Sequence, residues 1–539
     1  MSNKIIKGTL ILSIATLLTK ILGSLFWAPL QNIAGDHVVG LYRISFPFYS
    51  ILLMIASAGI PITVSKFVAE RLAHDDYAGA QRVKKAAAII LSLTGVFFGL
   101  ILFFGASFVA NVMLHSPQNT LPIQVLAVAI LFVPVMGAYR GYFQGHQQMM
   151  PTGISQVIEQ VIRVVTVIAL VYWLKASGFG AEILAAGATA GAVLGAIAGL
   201  LVVLWYNSRD KTPKIEESSP RRRPESLWGL SKKIIAYAIP ISLASLVLPL
   251  IGLVDSLTIP RILVSMGNTD AMTGTLYGIY ARGEPFVNII STFSSSLTLA
   301  LIPAIGAYVA KNNMEAVNNK ISQAWMMTLI ISLPASLGLS ILAEPFNIAM
   351  YMDEKGTTTL AILAFSAIFS TLAVTSSGIL QGLGYNKLPV RHLLIGAGVK
   401  FISNFIFVPL YGIAGSAIAM VIAYIVVCML NLWMVFRKTN VTVSIKNVFV
   451  KPLFSSLIMA GILYVSYHPM RGWFAAEHFS RWGYMGISFI YIVIAMVIYF
   501  LVLILTKTVT HNELRMLPMG NKLVRFFQKI KLLKQVESM

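Results

Sequence analysis

Apolar runs recur along this sequence as far as residue 506, each close to the length of about 20 residues with which an α-helix crosses a bilayer. The runs are continuous and do not alternate between apolar and polar residues, which excludes a transmembrane β-barrel. Only 11% of the residues are charged, whereas soluble domains carry about 25%. The sequence therefore predicts an all-α polytopic membrane protein.

The number and charge of these runs predict the topology. The 14 predicted spans cover residues 5–28, 45–66, 86–113, 121–143, 151–174, 182–206, 234–260, 283–309, 322–349, 358–382, 390–410, 413–436, 450–468 and 485–506. With the N-terminus inside, 31 of the 41 Lys and Arg belong to the inner loops and terminal segments, with the inner ends of the spans counted among them, and outer loops hold six. The remaining four are assigned to the spans themselves, and they are Lys20, Arg163, Arg282 and Lys400. This distribution follows the positive-inside rule, so we expect both termini in the cytoplasm. The net charge of +21 then reflects topology and contact with anionic inner-leaflet lipids, and nucleic acid is not an expected partner.

Two nine-residue segments share one frame. Gly40–Phe48 and Gly278–Phe286 each begin with Gly, an aliphatic residue and Tyr. In each segment a Pro-Phe pair follows, with the Pro five residues after the Tyr. The two segments are 238 residues apart, which is a separation of six predicted spans. Both copies therefore have the same orientation in the membrane, as in parallel repeats related by an axis along the membrane normal.

A second pair of segments repeats at nearly the same separation. Gln144 is followed after 19 residues by Arg163, and Gln381 is followed after 19 residues by Lys400. The offset between these pairs is 237 residues. Two matches at nearly the same offset indicate that the chain consists of two similar halves.

The repeat predicts two parallel six-helix lobes around a central cavity, with two additional C-terminal helices. We expect an N-lobe over 1–206, a basic cytoplasmic linker over 207–233, a C-lobe over 234–437, the two added spans within 438–506, and an amphipathic basic cytoplasmic tail over 507–539.

Cations within or beside the spans indicate a charged cavity, because a charge at mid-bilayer costs about 2.5–3.5 kcal/mol on insertion scales. The candidate substrate-binding cations are Lys20, Arg43, Arg163, Arg282 and Lys400. Lys20 lies deep in its span, although snorkelling to the interface stays an alternative. Arg43 and Arg282 lie one position apart in the repeated frame, so the symmetry axis should bring them face to face. Interfacial arginines beside Tyr are the alternative for that pair.

Three acids are candidates for coupling or for pairing. Glu284 is expected either to pair with Arg282 or to bind a coupling proton or Na⁺. Glu159 lies four residues before Arg163, a spacing that also suits an intrahelical ion pair. Asp255 is the deepest acid of the second half, and a coupling-ion ligand and a helix-packing residue are both open for it. Coupling to Na⁺, to H⁺ or to the membrane potential is left open by the sequence.

The start of span eight combines a break with a polar run. Gly283 and Pro285 predict an irregular backbone, which is tolerated at membrane depth where it lines a cavity. Hydroxyl side chains then follow, and they suit either a wet cavity wall or close helix packing. They are Ser291, Thr292, Ser294, Ser295, Ser296 and Thr298.

The sequence carries no enzyme signature. A Gly-rich phosphate loop of the Walker type is absent, so no ATPase is built in. The eight His are scattered without a metal-binding motif, and Cys428 is the single cysteine. We therefore expect no catalytic residue, no cofactor and no metal site. Because cations outnumber acids within the spans, an anionic substrate is favoured.

Several short stretches carry a family resemblance by their order and spacing. They are Thr19–Gly23 in span one, Arg140–Gly145 followed by Pro151, and Tyr280–Glu284 with Pro303 later in span eight. With these stretches and 14 spans in place of 12, the chain resembles the multidrug/oligosaccharidyl-lipid/polysaccharide (MOP) exporter superfamily. Within it, the chain is similar to the MurJ-type lipid II flippases, in the branch that includes stage V sporulation protein B. The resemblance covers essentially the whole chain.

This resemblance implies a substrate and a mechanism. The substrate would be undecaprenyl-pyrophosphate-linked disaccharide-pentapeptide (lipid II), moved across the bacterial plasma membrane by alternating access of the two lobes. Peptidoglycan synthesis and cell shape would depend on it, with cell-wall synthesis proteins as candidate partners. Spans one and eight would gate a lateral portal, and spans 13 and 14 would form a groove for the lipid tail.

The resemblance also assigns roles to residues, with two departures. By position, Lys20 and Arg282 match cavity cations of the family, and Glu284 falls close to a family acid. Phe26 stands where better-known members carry a second Arg in span one. Their basic residues in span two are absent here, and Arg43 is a candidate substitute.

Three alternatives remain at this point. One is a flippase for another undecaprenyl-linked polysaccharide precursor. A second is a multidrug or cation antiporter of the same superfamily, which would need acids in the N-lobe cavity, where Glu159 is the deep candidate. The third is a membrane scaffold or a glycosyl-lipid enzyme. Such enzymes usually have acid clusters in their loops, whereas the longest outer loop, residues 467–484, contains one Glu.

Overall fold

The structure is a computed structural model that describes residues 2–57, 59–210, 226–245, 247–439, 441, 444–476 and 479–506. Within these residues every regular element is helical, which confirms the predicted all-α class. Residues 211–225 of the predicted linker and the predicted amphipathic tail, 507–539, lie outside the described residues.

Twenty α-helices make up the described part of the chain. They are α1 (Ser2–Leu25), α2 (Trp27–Ala34), α3 (Asp36–Ser57), α4 (Ile60–Leu72), α5 (Tyr77–Phe108), α6 (Thr120–Gly145), α7 (Met149–Ala176), α8 (Ala181–Ser208), α9 (Leu227–Ser245), α10 (Val247–Ser265), α11 (Asp270–Ala281), α12 (Glu284–Ala310), α13 (Met314–Ile341), α14 (Ala343–Tyr351), α15 (Thr357–Gly382), α16 (Lys387–Tyr411), α17 (Ile413–Thr439), α18 (Lys451–Tyr467), α19 (Arg471–Ala476) and α20 (Arg481–Leu505).

Twelve helical stretches of the described residues are long and apolar enough to cross a membrane. They coincide with predicted spans one to six and nine to fourteen. Predicted span seven, residues 234–260, is shared between α9 and α10, which have 19 residues each. Predicted span eight corresponds to α12. A multi-pass membrane protein is therefore confirmed, and the total of 14 spans stays a prediction.

Contacts divide the chain into two compact units, residues 1–285 with 400–416 and residues 286–399 with 417–539. In the first unit, α9, α10 and α11 contact helices from the beginning of the chain, among them α3 and α4. The predicted lobes were defined by the repeat, with the first ending at residue 206. That division stays a prediction.

Two apolar clusters stabilise the first unit. One joins α4, α5, α6, α8 and α9, and the other joins α2, α3, α7 and α8. Glycines allow α8 to approach α7 closely, because a methyl group on Gly195 would lie 2.7 Å from the carbonyl oxygen of Glu159. Small residues are a common means of close helix packing in membranes. This packing fixes the position of the α7 turn that carries Glu159 and Arg163.

The second unit has its core around α13. Trp325 is fully buried there, and its indole Nε1 donates to Ser376 Oγ on α15 at 3.0 Å. Thr328 and Thr375 join the same two helices through their hydroxyls, which are 2.8 Å apart. The single cysteine, Cys428, is buried in this core.

The two copies of the repeated frame differ in backbone structure. The first copy lies within the continuous helix α3, with Pro47 inside it. In the second copy α11 ends at Ala281 and α12 begins at Glu284, so the predicted break is confirmed. Gly283 disfavours a continued helix, and Pro285 suits the first turn of a new one.

In the second pair of repeated segments, the helices end at equivalent positions. Helix α6 ends at Gly145, and α15 ends at Gly382. Each following helix has Pro as its third residue, Pro151 in α7 and Pro389 in α16. Proline is tolerated in this first turn because the backbone N–H there has no intrahelical acceptor.

Candidate functional site

The two copies of the repeated frame pack directly against each other within the first unit, through glycines of α3 and α11. A methyl group on Gly40 would lie 1.9 Å from the carbonyl oxygen of Gly274, and one on Gly278 would lie 1.9 Å from that of Asp36. Real side chains do not approach so closely, so neither position accepts a larger residue without a shift of the backbone. The glycines therefore hold the two helices at backbone contact.

An ion pair lies at one end of this contact. The Arg282 Nη2 atom is 2.8 and 2.9 Å from the two carboxylate oxygens of Asp36, and its Nε donates to Oδ1 at 3.1 Å. The Gln31 amide also donates to Asp36. Arg282 is 3% exposed and the Asp36 side chain 9%. Such a desolvated, multiply hydrogen-bonded pair joins α11 to α3 with defined geometry.

A second ion pair lies at the same junction, and here the arginine is on α3 and the acid is on the later segment. Arg43 in α3 pairs with Glu284 at the start of α12, with 2.5 Å between Nη1 and Oε2. The Arg43 guanidinium also lies 3.5 Å from the ring centroid of Trp27. Glu284 thus pairs with Arg43 in this structure, and the predicted partner Arg282 pairs with Asp36. Arg43 and Arg282 both lie at the α3–α11 junction, each with its own acid.

A third pair is buried between α10 and α16. The Lys400 ammonium is 2.5 Å from Asp255 Oδ2, and the exposed fractions of the two side chains are 0% and 5%. Tyr280 donates to the same carboxylate at 3.0 Å, and Asn404 Nδ2 donates to its other oxygen at 3.2 Å. Asn404 also donates to Thr258. The sequence analysis found both charged residues but not that they form a pair.

Helix α11 connects this buried pair to the α3 junction. Tyr280 contacts Asp255, and Arg282, two residues later, contacts Asp36. A shift of α11 relative to α3 or to α10 would therefore change both sets of hydrogen bonds. The second copy of the frame therefore contacts both the Asp36 junction and the Asp255–Lys400 pair.

A separate cluster joins α6 and α7. Glu159 accepts from Arg163 at 3.0 Å through Oε1 and from Arg140 at 2.9 Å through Oε2. Arg140 also donates to Ser155 Oγ at 2.7 Å, and Ser155 donates to the carbonyl of Gly199 on α8. The i, i+4 pair predicted from the sequence is present. Arg140, which had been noted only as part of a motif, gives the cluster a second cation on one carboxylate.

Lys20 differs from the other predicted cations. Its side chain is exposed, and among the described residues it has no ion-pair or hydrogen-bond partner. Phe26, six residues later, is buried in the apolar cluster of α2, α3, α7 and α8. At the position where the family pattern has a second Arg, this chain therefore has an apolar residue that packs in the core.

Taken together, these groups carry more positive than negative charge. Arg43, Arg140, Arg163, Arg282, Lys20 and Lys400 are six cations, whereas Asp36, Glu159, Asp255 and Glu284 are four acids. One excess charge is on Lys20, and the other is shared by the two arginines at Glu159. Among the described residues no group of His, Cys, Asp and Glu could hold a metal ion.

The hydroxyl run on α12 lies in the second unit and serves packing at several positions. Ser291 Oγ is 3.4 Å from Ser370 Oγ on α15, and Ser294 and Thr298 are buried. A methyl group on Gly378 of α15 would lie 2.3 Å from the Thr298 methyl carbon. Thr292 hydrogen-bonds to the backbone of its own helix on an exposed face. The side chain of Ser296 lies outside the described residues.

Sequence reasoning overlooked Asp36, Arg140 and Asn404 as members of these clusters. Asp36 is in the first turn of α3, where an acid is ordinarily explained by the helix dipole. A signal was present for it, since it lies four residues before Gly40 of the repeated frame. Asn404 lies four residues after Lys400 on one helix face, which could have marked it.

A family model described as "Polysaccharide biosynthesis protein" matches residues 5–309, more than half of the chain. The chain belongs to this family. A second model, MatE, matches residues 240–406. Both matches are consistent with membership of the MOP exporter superfamily, in the branch of MurJ and stage V sporulation protein B, as the resemblance had implied.

Three relatives from Bacillus subtilis (strain 168) match nearly the full length of this family member. The uncharacterized membrane protein YabM is 31% identical over 97% of this chain and 96% of its own. Lipid II flippase MurJ is 27% identical over 86% of this chain and 88% of its own. Stage V sporulation protein B is 26% identical over 96% of this chain and 98% of its own.

Solved structures confirm the fold. A lipid II flippase MurJ in an inward closed conformation superposes with a TM-score of 0.65 at 16% identity, covering 92% of this chain and 98% of the other. At 16% identity this similarity establishes that the two proteins share a fold, and it does not establish the substrate. MurJ is named as a flippase and YabM as a membrane protein, which agrees with the predicted transport protein and not with an enzyme.

Proposed function

We propose that this protein is a flippase for lipid-linked oligosaccharides, and that its substrate is lipid II, moved from the inner to the outer leaflet by alternating access. The excess of cations over acids at the described clusters carries the proposal. A pyrophosphate cannot cross hydrocarbon unaided, and hydrogen bonds from Lys and Arg replace the water that it loses. The name of one B. subtilis relative, lipid II flippase MurJ, supports the same class of substrate.

Lys20 would be the first contact of the pyrophosphate. It is exposed, and no carboxylate among the described residues competes for it. The ammonium on a flexible stem can bind a phosphate and release it again, which a carrier requires. The shared charge of Arg140 and Arg163 at Glu159 would give a further site of positive potential.

The α3–α11 contact would be the outer gate of the transport path. Arg43 and Arg282 lie near the predicted outer ends of spans two and eight, and their acids Glu284 and Asp36 keep the two frames together. Removal of one partner from a buried ion pair is costly. An incoming pyrophosphate offers both arginines a replacement anion, so cargo would lower the cost of separating the frames.

Direction would then come from the membrane potential or from consumption of the product outside. Asp255 already accepts from Lys400, Tyr280 and Asn404. Coupling of Na⁺ or H⁺ through Asp255 would require the Lys400 ammonium to leave first. We therefore favour a driving force that needs no additional cation at this carboxylate.

A multidrug cation antiporter is the second candidate, because an inward-facing multidrug resistance MATE transporter superposes with a TM-score of 0.60 at 18% identity. That candidate needs a carboxylate available to a cationic drug. Glu159, the acid that it would use, is held by two arginines. The charge balance thus favours the flippase.

The proposal is tested with purified protein in vesicles that contain fluorescent lipid II, another undecaprenyl-linked glycan, or a cationic dye. We expect membrane-impermeant quencher to reach more lipid II over time, and Lys20→Gln, a change at an exposed position that makes no described contact, to slow this while the protein stays inserted. Lys311→Ala, on a predicted inner loop, is the matched control and should flip normally. Transport of the dye alone would overturn the flippase, and flipping of the other glycan alone would overturn lipid II as substrate.

A test in cells complements it. Depletion of this protein should cause lipid II to accumulate in the inner leaflet. We place the protein in the bacterial plasma membrane with both termini cytoplasmic, where lipid-linked precursors are made. Accumulation of a different lipid-linked precursor would identify the true substrate.

A further inference from the structure

A cavity of about 490 Å³ lies on the first unit, and none of the ion-pair residues described above lines it. It is lined by residues of α5 and by one residue of α6. Gln81, Lys84, Lys85, Ala88, Ile89, Ser92, Leu93 and Tyr139 form its walls. The volume is within the range of small-ligand sites, about 300–1,000 Å³.

One end of this cavity is cationic and preorganised. Lys84 donates to Asn207 Oδ1 at 2.6 Å, and its ammonium lies 4.3 Å from the ring centroid of Tyr142. Tyr142 in turn donates to Asp210 at 2.8 Å. Lys85 is exposed and has no ion-pair partner among the described residues. The charge of Lys85 is therefore available to an anion.

The other end is apolar. Ala88, Ile89, Ser92 and Leu93 follow within two to three turns of α5, and Ser92 directs its hydroxyl to the backbone carbonyl of Ala88. Ile89 and Leu93 are 44% and 67% exposed. At about 1.5 Å per residue, the apolar wall extends roughly 12 Å beyond the lysines. A free inorganic anion would gain no favourable contact from this apolar wall.

The change from cationic to apolar coincides with the predicted membrane boundary. The apolar run of the third predicted span begins at residue 86, directly after Lys85. In the predicted topology this is the cytoplasmic side. Tyr139, whose hydroxyl has no hydrogen-bond partner among the described residues, lines the same cavity. Lys and Tyr at that depth are the usual contacts of lipid headgroups.

We propose that this cavity binds one anionic phospholipid of the inner leaflet. The lipid phosphate would bind Lys84 and Lys85 with the Tyr139 hydroxyl as an additional donor, and an acyl chain would lie along Ile89 and Leu93. Charge complementarity and the polarity boundary commit the cavity to this occupant. The site is separate from the transport path and does not depend on the proposed substrate.

The site is tested with Tyr139→Trp, which places an indole in the cavity. The full-length protein is reconstituted in phosphatidylcholine vesicles with equal mole fractions of either brominated phosphatidylglycerol or brominated phosphatidylcholine, and the quenching of the parent protein is subtracted. We expect stronger quenching by brominated phosphatidylglycerol. Lys84→Gln/Lys85→Gln should remove this preference. We expect each lysine to contribute roughly fivefold to the affinity for phosphatidylglycerol relative to phosphatidylcholine. Lys84→Arg/Lys85→Arg should retain it.

A matched control removes two charges elsewhere. Lys311→Gln/Lys320→Gln, on another predicted inner loop, should leave the lipid preference unchanged. Equal quenching by both lipids, or an unchanged preference in Lys84→Gln/Lys85→Gln, would overturn the proposal. Loss of the preference on addition of excess inorganic phosphate would also overturn it, because it would assign the cavity to a soluble anion.

Discussion

Arg282 donates hydrogen bonds to both carboxylate oxygens of Asp36, and this pair joins the second copy of the repeated frame to the helix that carries the first. Both side chains are almost fully removed from solvent. The pair therefore contributes geometry as well as charge, since loss of either partner would leave a buried charge without its counter-ion.

Removal of one partner of this pair should be strongly destabilising. We expect Asp36→Asn and Arg282→Gln each to lower the free energy of unfolding by about 3–5 kcal/mol, and the double variant to lose less than their sum. Denaturant unfolding in detergent micelles measures all three.

The pair Lys66–Glu70 provides the control, because its atoms are 3.6 Å apart and its side chains are 43% and 57% exposed. Glu70→Gln, which keeps the contact of the Lys66 ammonium with the Tyr237 ring, should change the free energy of unfolding by less than about 0.5 kcal/mol. If Asp36→Asn behaves like this control, the pair has no structural role.

Gly40→Ala should force α3 and α11 apart, since its methyl group would lie 1.9 Å from a backbone oxygen. We expect a lower midpoint of thermal unfolding and greater access of thiol reagents to a cysteine at Thr275, measured with Cys428→Ser as background. Gly105→Ala on α5 is the control, because its methyl group meets nothing within 4 Å. There we expect no loss, or a gain of up to about 1 kcal/mol from helix propensity. Equal effects of the two substitutions would contradict the close contact.

Lys400→Met should destabilise the protein because it leaves Asp255 buried without its ammonium partner. We expect Lys400→Met/Asp255→Leu to recover much of the stability, as replacement of a whole buried pair by apolar residues is often neutral. Thermal unfolding of both variants measures this. A double variant that is less stable than Lys400→Met alone would show that Asp255 is held mainly by Tyr280 and Asn404.

Lys20→Gln should affect transport and not stability. Its side chain is exposed and makes no described contact, so thermal unfolding should be unchanged. If it binds the pyrophosphate, loss of one charge-assisted hydrogen bond of about 1.5–3 kcal/mol lowers the flipping rate by roughly tenfold or more. Lys20→Arg should retain most of the rate. A normal rate in Lys20→Gln would remove this residue from the substrate path.

The predicted topology is checked by single cysteines on the Cys428→Ser background. Ser218→Cys, in the predicted cytoplasmic linker, should react with an impermeant maleimide only in inverted vesicles. Ser177→Cys, between α7 and α8, should react only in intact cells. The opposite pattern would reverse the assignment of the termini.

The fold was predictable because bilayer thickness sets a fixed length for each apolar run, and that length can be counted. The Glu159–Arg163 pair was predictable for a similar reason, since residues four apart meet on one helix face. The break at Gly283 followed from local backbone chemistry. Each of these features depends on neighbours in the sequence.

The other pairs could not be derived, because they join distant parts of the chain. Asp36 and Arg282 are 246 residues apart, and Asp255 and Lys400 are 145 apart. The repeat indicated that the frames of Arg43 and Arg282 are related, but the acid that each arginine selects depends on rotamers and helix register. Asp36 has Gly274 at the equivalent place before the second copy, so its distance from Gly40 marks its position but the repeat itself does not require an acid there.

The glycine contact between α3 and α11 restricts how this junction can vary. No side chain fits at Gly40 or at Gly278, since Gly40 faces the backbone of α11 and Gly278 faces the backbone of α3. In a saturation library, substitutions that add size at either glycine should be depleted. Single substitutions at Asp36 or Arg282 should be depleted as well, because each leaves a buried charge without its counter-ion, so the junction restricts both the size and the charge of its residues.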